Sequence, residues 1–215
     1  MTTISRTRVA LALPLFFAIA GCSILGGGKQ REPTTLYAPD PRVQVDPSWP
    51  SVDWQLSISR PEAARMTDSL RIAVRPSADE LQVYKGASWA KTPSDMVEDA
   101  VLRALEDSGK IPGVARQGSG VAADYKLVMD LRRFESVYAG GATPNATIEI
   151  NAKLLHAGEQ DVVAARTFVQ SVPANSTAVA DVVDAFNRGL GQTAHDIAGW
   201  ALVNGDVHQR SAHKQ

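Results

Sequence analysis

Four histidines and one cysteine are the strongest metal-binding and nucleophilic side chains among these 215 residues. His156 falls in an expected turn, His195 on the outward side of an expected helix, and His208 and His213 in a polar tail. No two of them stand at the i, i+4 spacing that places two imidazoles on one helical face, so the sequence predicts no metal site. Serines are plentiful, but none sits in the G-x-S-x-G turn that lifts a nucleophile above a sheet. Gly118-Ser119-Gly120 precedes a strand instead of joining strand to helix, so it cannot present backbone N–H groups to a phosphate. Asp130 and Glu135 flank Arg132 and Arg133, where ion pairing explains them better than acid–base work. The expectation is a protein with no catalytic residues and no cofactor.

The cysteine is a different matter. Arg6 and Arg8 precede a 12-residue run, Val9 to Ala20, which is apolar apart from Pro14 and too short to span a bilayer but right for a secretory signal core. The run leads through Ile19-Ala20-Gly21 into Cys22, which resembles the lipobox of bacterial lipoproteins, with isoleucine where leucine is more usual. That resemblance implies a signal peptide over 1–21, diacylglycerol and further acyl chains (palmitate among them) on Cys22, and effectively permanent anchoring, because two or three chains hold where one does not. Ser23 follows, where aspartate would commonly signal inner-membrane retention. The resemblance thus implies the periplasmic face of a Gram-negative outer membrane. With no second cysteine, the mature chain forms no internal disulfide.

Removal of residues 1–21 leaves 194 residues, one domain's worth, with 20 basic against 23 acidic side chains. No basic run marks a nucleic-acid footprint. Residues 22–35 carry the lipidated cysteine and then three glycines and polar residues, a flexible tether. Counted as 14 links from 23 to 36, it spans roughly 20 Å root-mean-square. A second irregular piece contains Pro39, Pro41, Pro47 and Pro50, which remove backbone donors and predict an extended segment along the domain surface. Residues 204–215 are polar and expected to fray.

Between them, periodicity predicts strands and two helices. Trp54–Ser59 alternates apolar and polar, and 71–76 and 81–84 do the same across a polar turn, predicting a hairpin. Thr92, Pro93 and Asp95 form a helix start, Met96 to Leu105 an apolar stripe with Glu98, Asp99, Arg103 and Glu106 facing out, and Gly109 a stop. Residues 124–138 form a long strand whose phase slips at Arg132-Arg133, the signature of a β-bulge. Strands over 146–155 and 162–172 continue as an antiparallel meander. A last helix runs from about 178 to 203, with Gly189 and Gly191 inside it marking close packing or a bend. The order predicts an α+β fold over 36–203: a mostly antiparallel sheet with two amphipathic helices packed on one face.

Trp89 lies between the second hairpin strand and the first helix, in a stretch of small residues. Such an indole either packs into the core or anchors a partner. The run RIAVRP…LQVYKGASWAKTPSDMVEDAVLRALEDSG around it is similar to the ABC-type transport auxiliary lipoprotein family, sometimes called PqiC-like. A second block carries the same resemblance through Asp124, Tyr125, Leu127, Leu131, Phe134 and Glu135, and Thr35-Leu36-Tyr37 resembles the family's start. The Pro-rich stretch 39–50 departs from the pattern.

This resemblance, over about 35 to 203, implies a non-enzymatic companion of an Mce-type lipid transport system. Its partners would be an Mce-domain conduit protein and the associated ABC permease and ATPase. Tyr84, Lys85 and Trp89 are the candidate partner-binding residues. A free strand edge could also pair with a second copy of the chain. A second reading, a tethered scaffold or activator of peptidoglycan assembly, would require a longer tether than 23–36 provides.

Overall fold

The computed structural model describes residues 33–212; the leader, Cys22, the tether up to Glu32, and His213 lie outside the described residues. The fold is α+β, with nine strands in one mixed sheet and two helices. The expected hairpin is present as β4 (Arg71–Ser77) and β5 (Glu80–Trp89), antiparallel. The expected meander is β7 (Tyr125–Val137), β8 (Asn145–His156) and β9 (Val162–Pro173). The phase slip is a real bulge: Leu131 opposes Ile150 and Arg133 opposes Glu149, leaving Arg132 as the extra residue. Leu131 before the slip and Phe134 after it are therefore both buried.

Three short strands were not foreseen: β1 (Thr35–Tyr37), β3 (Glu62–Ala63) and β6 (Gly113–Arg116). At two to four residues they are too short for alternation to register. All three pair parallel with their neighbours, β1 on β5, β3 on β7, and β6 on β2 (Gln55–Ile58). The sheet is organised around β7. One of its edges pairs with β8 throughout, while β2, β3 and β4 share the other edge in succession. The sheet therefore forks, one arm running through β2 to β6 and the other through β4 and β5 to β1. The long pairings are antiparallel and the short ones parallel.

Helix α1 (Pro93–Ser108) begins and ends as the sequence predicts. The Thr92 hydroxyl accepts from the Asp95 backbone N–H and donates to the Asp95 carboxylate at 2.9 Å, and Gly109 closes the helix at φ 60°. One side chain differs: Glu98, expected on the outer face, is only 6% exposed. Strand β6 brings Arg116 to 3.5 Å from its carboxylate, a neighbour invisible to helical periodicity.

Helix α2 (Val179–Ala212) does not end near 203; it continues through most of the segment expected to fray. Tertiary contacts hold those extra turns. The Tyr125 hydroxyl lies 2.8 Å from His208 Nδ1 and 3.1 Å from Gln209 Oε1, and the Trp54 indole packs 4.7 Å from the Tyr125 ring. Its glycines mark close packing. A methyl group built on Gly199 would stand 2.5 Å from Trp49 Nε1, one on Gly191 3.2 Å from Pro41 Cβ, and one on Gly205 would overlap the Trp54 ring. The Pro-rich segment 39–54 thus runs alongside α2 and seats its side chains where the helix lacks Cβ atoms. Trp49 and Trp54 are 6% and 2% exposed, so this segment belongs to the core as much as to the surface.

Glycine to alanine within an open helix stabilises by about 1 kcal/mol. Here Gly199→Ala must displace the Trp49 indole and is expected to destabilise by roughly 1–3 kcal/mol. Thermal unfolding of Gly199→Ala beside Gly189→Ala, whose added methyl meets only Val172 and Ile148 side chains at 3.4 and 3.6 Å, reads the difference.

Candidate docking surface

Strand β5 positions the three candidate binding residues, and it does so unevenly. Between the pairs Ala73–Val83 and Arg71–Ser88, four residues of β5 oppose the single Ile72 of β4. Tyr84, Lys85, Gly86 and Ala87 form this wide bulge, with Gly86 in the left-handed region at φ 66°, where a Cβ would be strained. Lys85 is exposed on the bulge. Tyr84 is half-buried, its hydroxyl 3.0 Å from Ser136 Oγ, and burial raises the phenol above its ordinary value.

Trp89 is placed elsewhere. It closes β5 instead of occupying a loop, and at 1% exposure it is a core residue. Its indole meets Phe186 edge-on at 5.3 Å and Phe134 at 5.8 Å, while those two rings stack at 4.8 Å. The expectation that Trp89 shares an exposed face with Tyr84 and Lys85 is therefore corrected. The bulge turns Lys85 outward and leaves the end of the strand under α2. Packing, the other expected role for this indole, is the one it has.

Strand β1 pairs only with Ala87–Trp89, so the outer edge of β5 from Glu80 to Gly86 has no strand beside it among the described residues. Strand β1 begins here, with Thr35 opposite Ala87. Beside the β4–β5 turn lies an open cleft of about 690 Å³ lined by Arg75, Pro76, Arg133, Val137 and Ala139. Its charge is held by Glu135, 5% exposed, which accepts a two-pronged bond from Arg75 (2.9 and 3.0 Å) and a third from Arg133 at 2.8 Å. Burial opposes ionisation of Glu135, but the two guanidinium groups outweigh it and hold the carboxyl below its ordinary value. The expected ion pairing of Glu135 with Arg133 is present. Arg75 was missed because it sits 60 residues away, on β4.

His156 and His208, far apart in sequence, both lie against Tyr125, and His195 packs 5.0 Å from Trp49. Among the described residues, no three His, Cys, Asp or Glu side chains are grouped to hold a metal ion, and no helix is long and apolar enough to cross a membrane.

A family model described as the ABC-type transport auxiliary lipoprotein component matches residues 35–198. A crystal structure of a DUF330-family protein from Xanthomonas campestris is similar over 82% of this chain and 99% of its own, with 52% identity and a TM-score of 0.80. A second crystal structure, of an uncharacterised protein, shares 15% identity and a TM-score of 0.61 over 78% of this chain and 97% of its own, a likeness of fold alone. An uncharacterised protein of Bradyrhizobium diazoefficiens is 24% identical over 178 residues; these cover 83% of this chain but only 47% of that relative's length.

The two buried acids give opposite pH responses. Glu135 has a lowered pKa, so its stabilisation is present at neutral pH and lost as pH falls through the folded value. Glu135→Gln should cost about 2 kcal/mol at neutral pH and little in acid. Burial raises Glu98 above its ordinary value despite Arg116, so folding favours its protonated form and stability falls as pH rises through that value. Glu98→Gln should therefore raise the melting temperature at neutral pH and leave it unchanged in acid. Melting curves of both variants from acid to neutral pH check the two signs.

Proposed function

The chain belongs to the family of ABC-type transport auxiliary lipoprotein components, and from that membership we propose that it is the lipid-anchored, non-enzymatic partner of an Mce-type lipid transport system. Residues 1–21 act as the signal peptide, Cys22 carries the acyl chains, and residues 22–35 tether the body to the periplasmic face of the outer membrane. The body then receives the periplasmic Mce conduit, whose permease and ATPase lie in the inner membrane. The family match along nearly the whole folded body carries this reading.

Lys85 and Tyr84 are the proposed contacts. They lie on the β5 bulge, beside the strand edge that has no partner strand among the described residues and just before β1 pairs with that strand. Trp89 contributes by fixing the end of β5 from beneath.

A photo-crosslinking amino acid at Lys85, in full-length protein within membranes, tests the proposal. The expected product is a conjugate with an Mce-domain protein, reduced at least tenfold when Cys22→Ala releases the protein from lipid. Conjugates only with peptidoglycan synthases would favour the cell-wall scaffold, and conjugates with neither would end both readings.

A further inference from the structure

The sheet ends at β9 in a 12-residue strand whose outer edge has no partner strand among the described residues. Soluble proteins usually protect such an edge with charges, proline, a bulge or a covering loop. Strand β9 carries one charge, Arg166, and its proline only at the last position. Val169, on the face away from the helices, is 56% exposed. On the helix face, Arg166, Phe168 and Gln170 follow one another. Phe168 packs edge-on against Trp200 of α2 at 5.7 Å, and Trp200 and Val203 border a shallow cleft of about 480 Å³ that also includes Arg166 and Asp196.

Two charges in this region lack partners of opposite permanent sign. Arg166 lies over the Phe168 ring at 4.9 Å and pairs with no carboxylate among the described residues. Asp196 accepts from Gln170 at 2.9 Å and Gln192 at 2.8 Å and sits beside His195, with no lysine or arginine on it. They lie at opposite ends of one short row: Arg166, Phe168, then Gln170 with Asp196 behind it.

From this row we infer that β9 pairs antiparallel with β9 of a second copy about a two-fold axis at Phe168. An even register is required, because residues whose N–H and C=O groups point outward must face residues of the same kind. The axis at Phe168 places Arg166 opposite the partner copy's Gln170, and hence beside its Asp196, and does so twice by symmetry. Phe168 lies on the axis with its ring already buried, 4% exposed, beneath Arg166 and against Trp200, and both copies keep their helices on the same side of one continuous sheet. Isologous pairing of this kind closes on itself, so the edge is used up at a dimer. The contact lies across the sheet from the β5 bulge, so it goes beyond the conduit docking proposed above and can fail or hold separately from it.

The test uses full-length protein in membranes. Acylation occupies Cys22 in the proposed mature form, so a cysteine introduced at Val169 is its only thiol. A short bifunctional maleimide should convert Val169→Cys to a crosslinked dimer and leave Glu106→Cys, on the exposed face of α1, monomeric. Added to Val169→Cys, Arg166→Glu or Asp196→Arg alone should lower dimer yield at least tenfold, and the two together should restore it. Both changes are at solvent-accessible positions, and unchanged circular dichroism confirms the fold. A monomeric Val169→Cys, crosslinking to a different protein in its place, or a double exchange that fails to restore the dimer would overturn the inference.

Discussion

The contact on which the rest of the molecule depends is the seating of the segment 39–54 against α2. Pro41, Trp49 and Trp54 approach the helix at Gly191, Gly199 and Gly205, which supply the missing Cβ volume. Two indoles buried here exclude a large apolar area from water, more than the three glycines lose in helix propensity. The consequence extends in both directions. Trp54 packs on Tyr125, and Tyr125 bonds the last turns of α2, so a helix that would fray by composition stays formed to Ala212. The same segment delivers the chain from β1 at one arm of the sheet to β2 at the other.

Strand β7 is the second organising element, because every route across the sheet passes through it. Its bulge at Arg132 keeps apolar residues inward on both sides of the slip and turns Arg133 and Glu135 to the other face. There Arg75 arrives from β4 and completes a buried charge cluster. Two guanidinium groups on one nearly inaccessible carboxylate satisfy its oxygens and fix the β4–β7 register, an arrangement in which geometry matters more than net energy. Glu98 is the counter-case. Its ion-pair partner Arg116 stands at 3.5 Å, and burial prevails over it.

These constraints shape what the surface offers. The aromatic cluster of Trp89, Phe134 and Phe186 lies beneath the end of β5, while the bulge ahead of it exposes Lys85. Charge is mostly paired across the sheet and along α2, and among the described residues the longest strand edges without a partner strand are on β5 and β9.

The sequence alone determined the local chemistry. Thr92, Pro93, Asp95 and Gly109 specify where α1 starts and stops, because caps act within a few residues. Alternation specifies the meander and the bulge, because a pleated strand shows its two faces directly. The family was legible too, from strand endings and aromatic positions spread over most of the chain. What only the tertiary structure decided rests on partners distant along the chain. Periodicity marks which side of a strand is apolar but not which strand lies beside it, so the forked sheet and the short parallel strands were hidden. Glu98 looked outward until Arg116 arrived from β6. Trp89 looked like a loop residue until β1 and Leu70 gave its strand neighbours. Gly189 and Gly191 by themselves signal either close packing or a bend; the structure shows close packing at Gly191, Gly199 and Gly205, against side chains of a proline-rich segment about 150 residues earlier. No local rule connects the two; only folding brings them together.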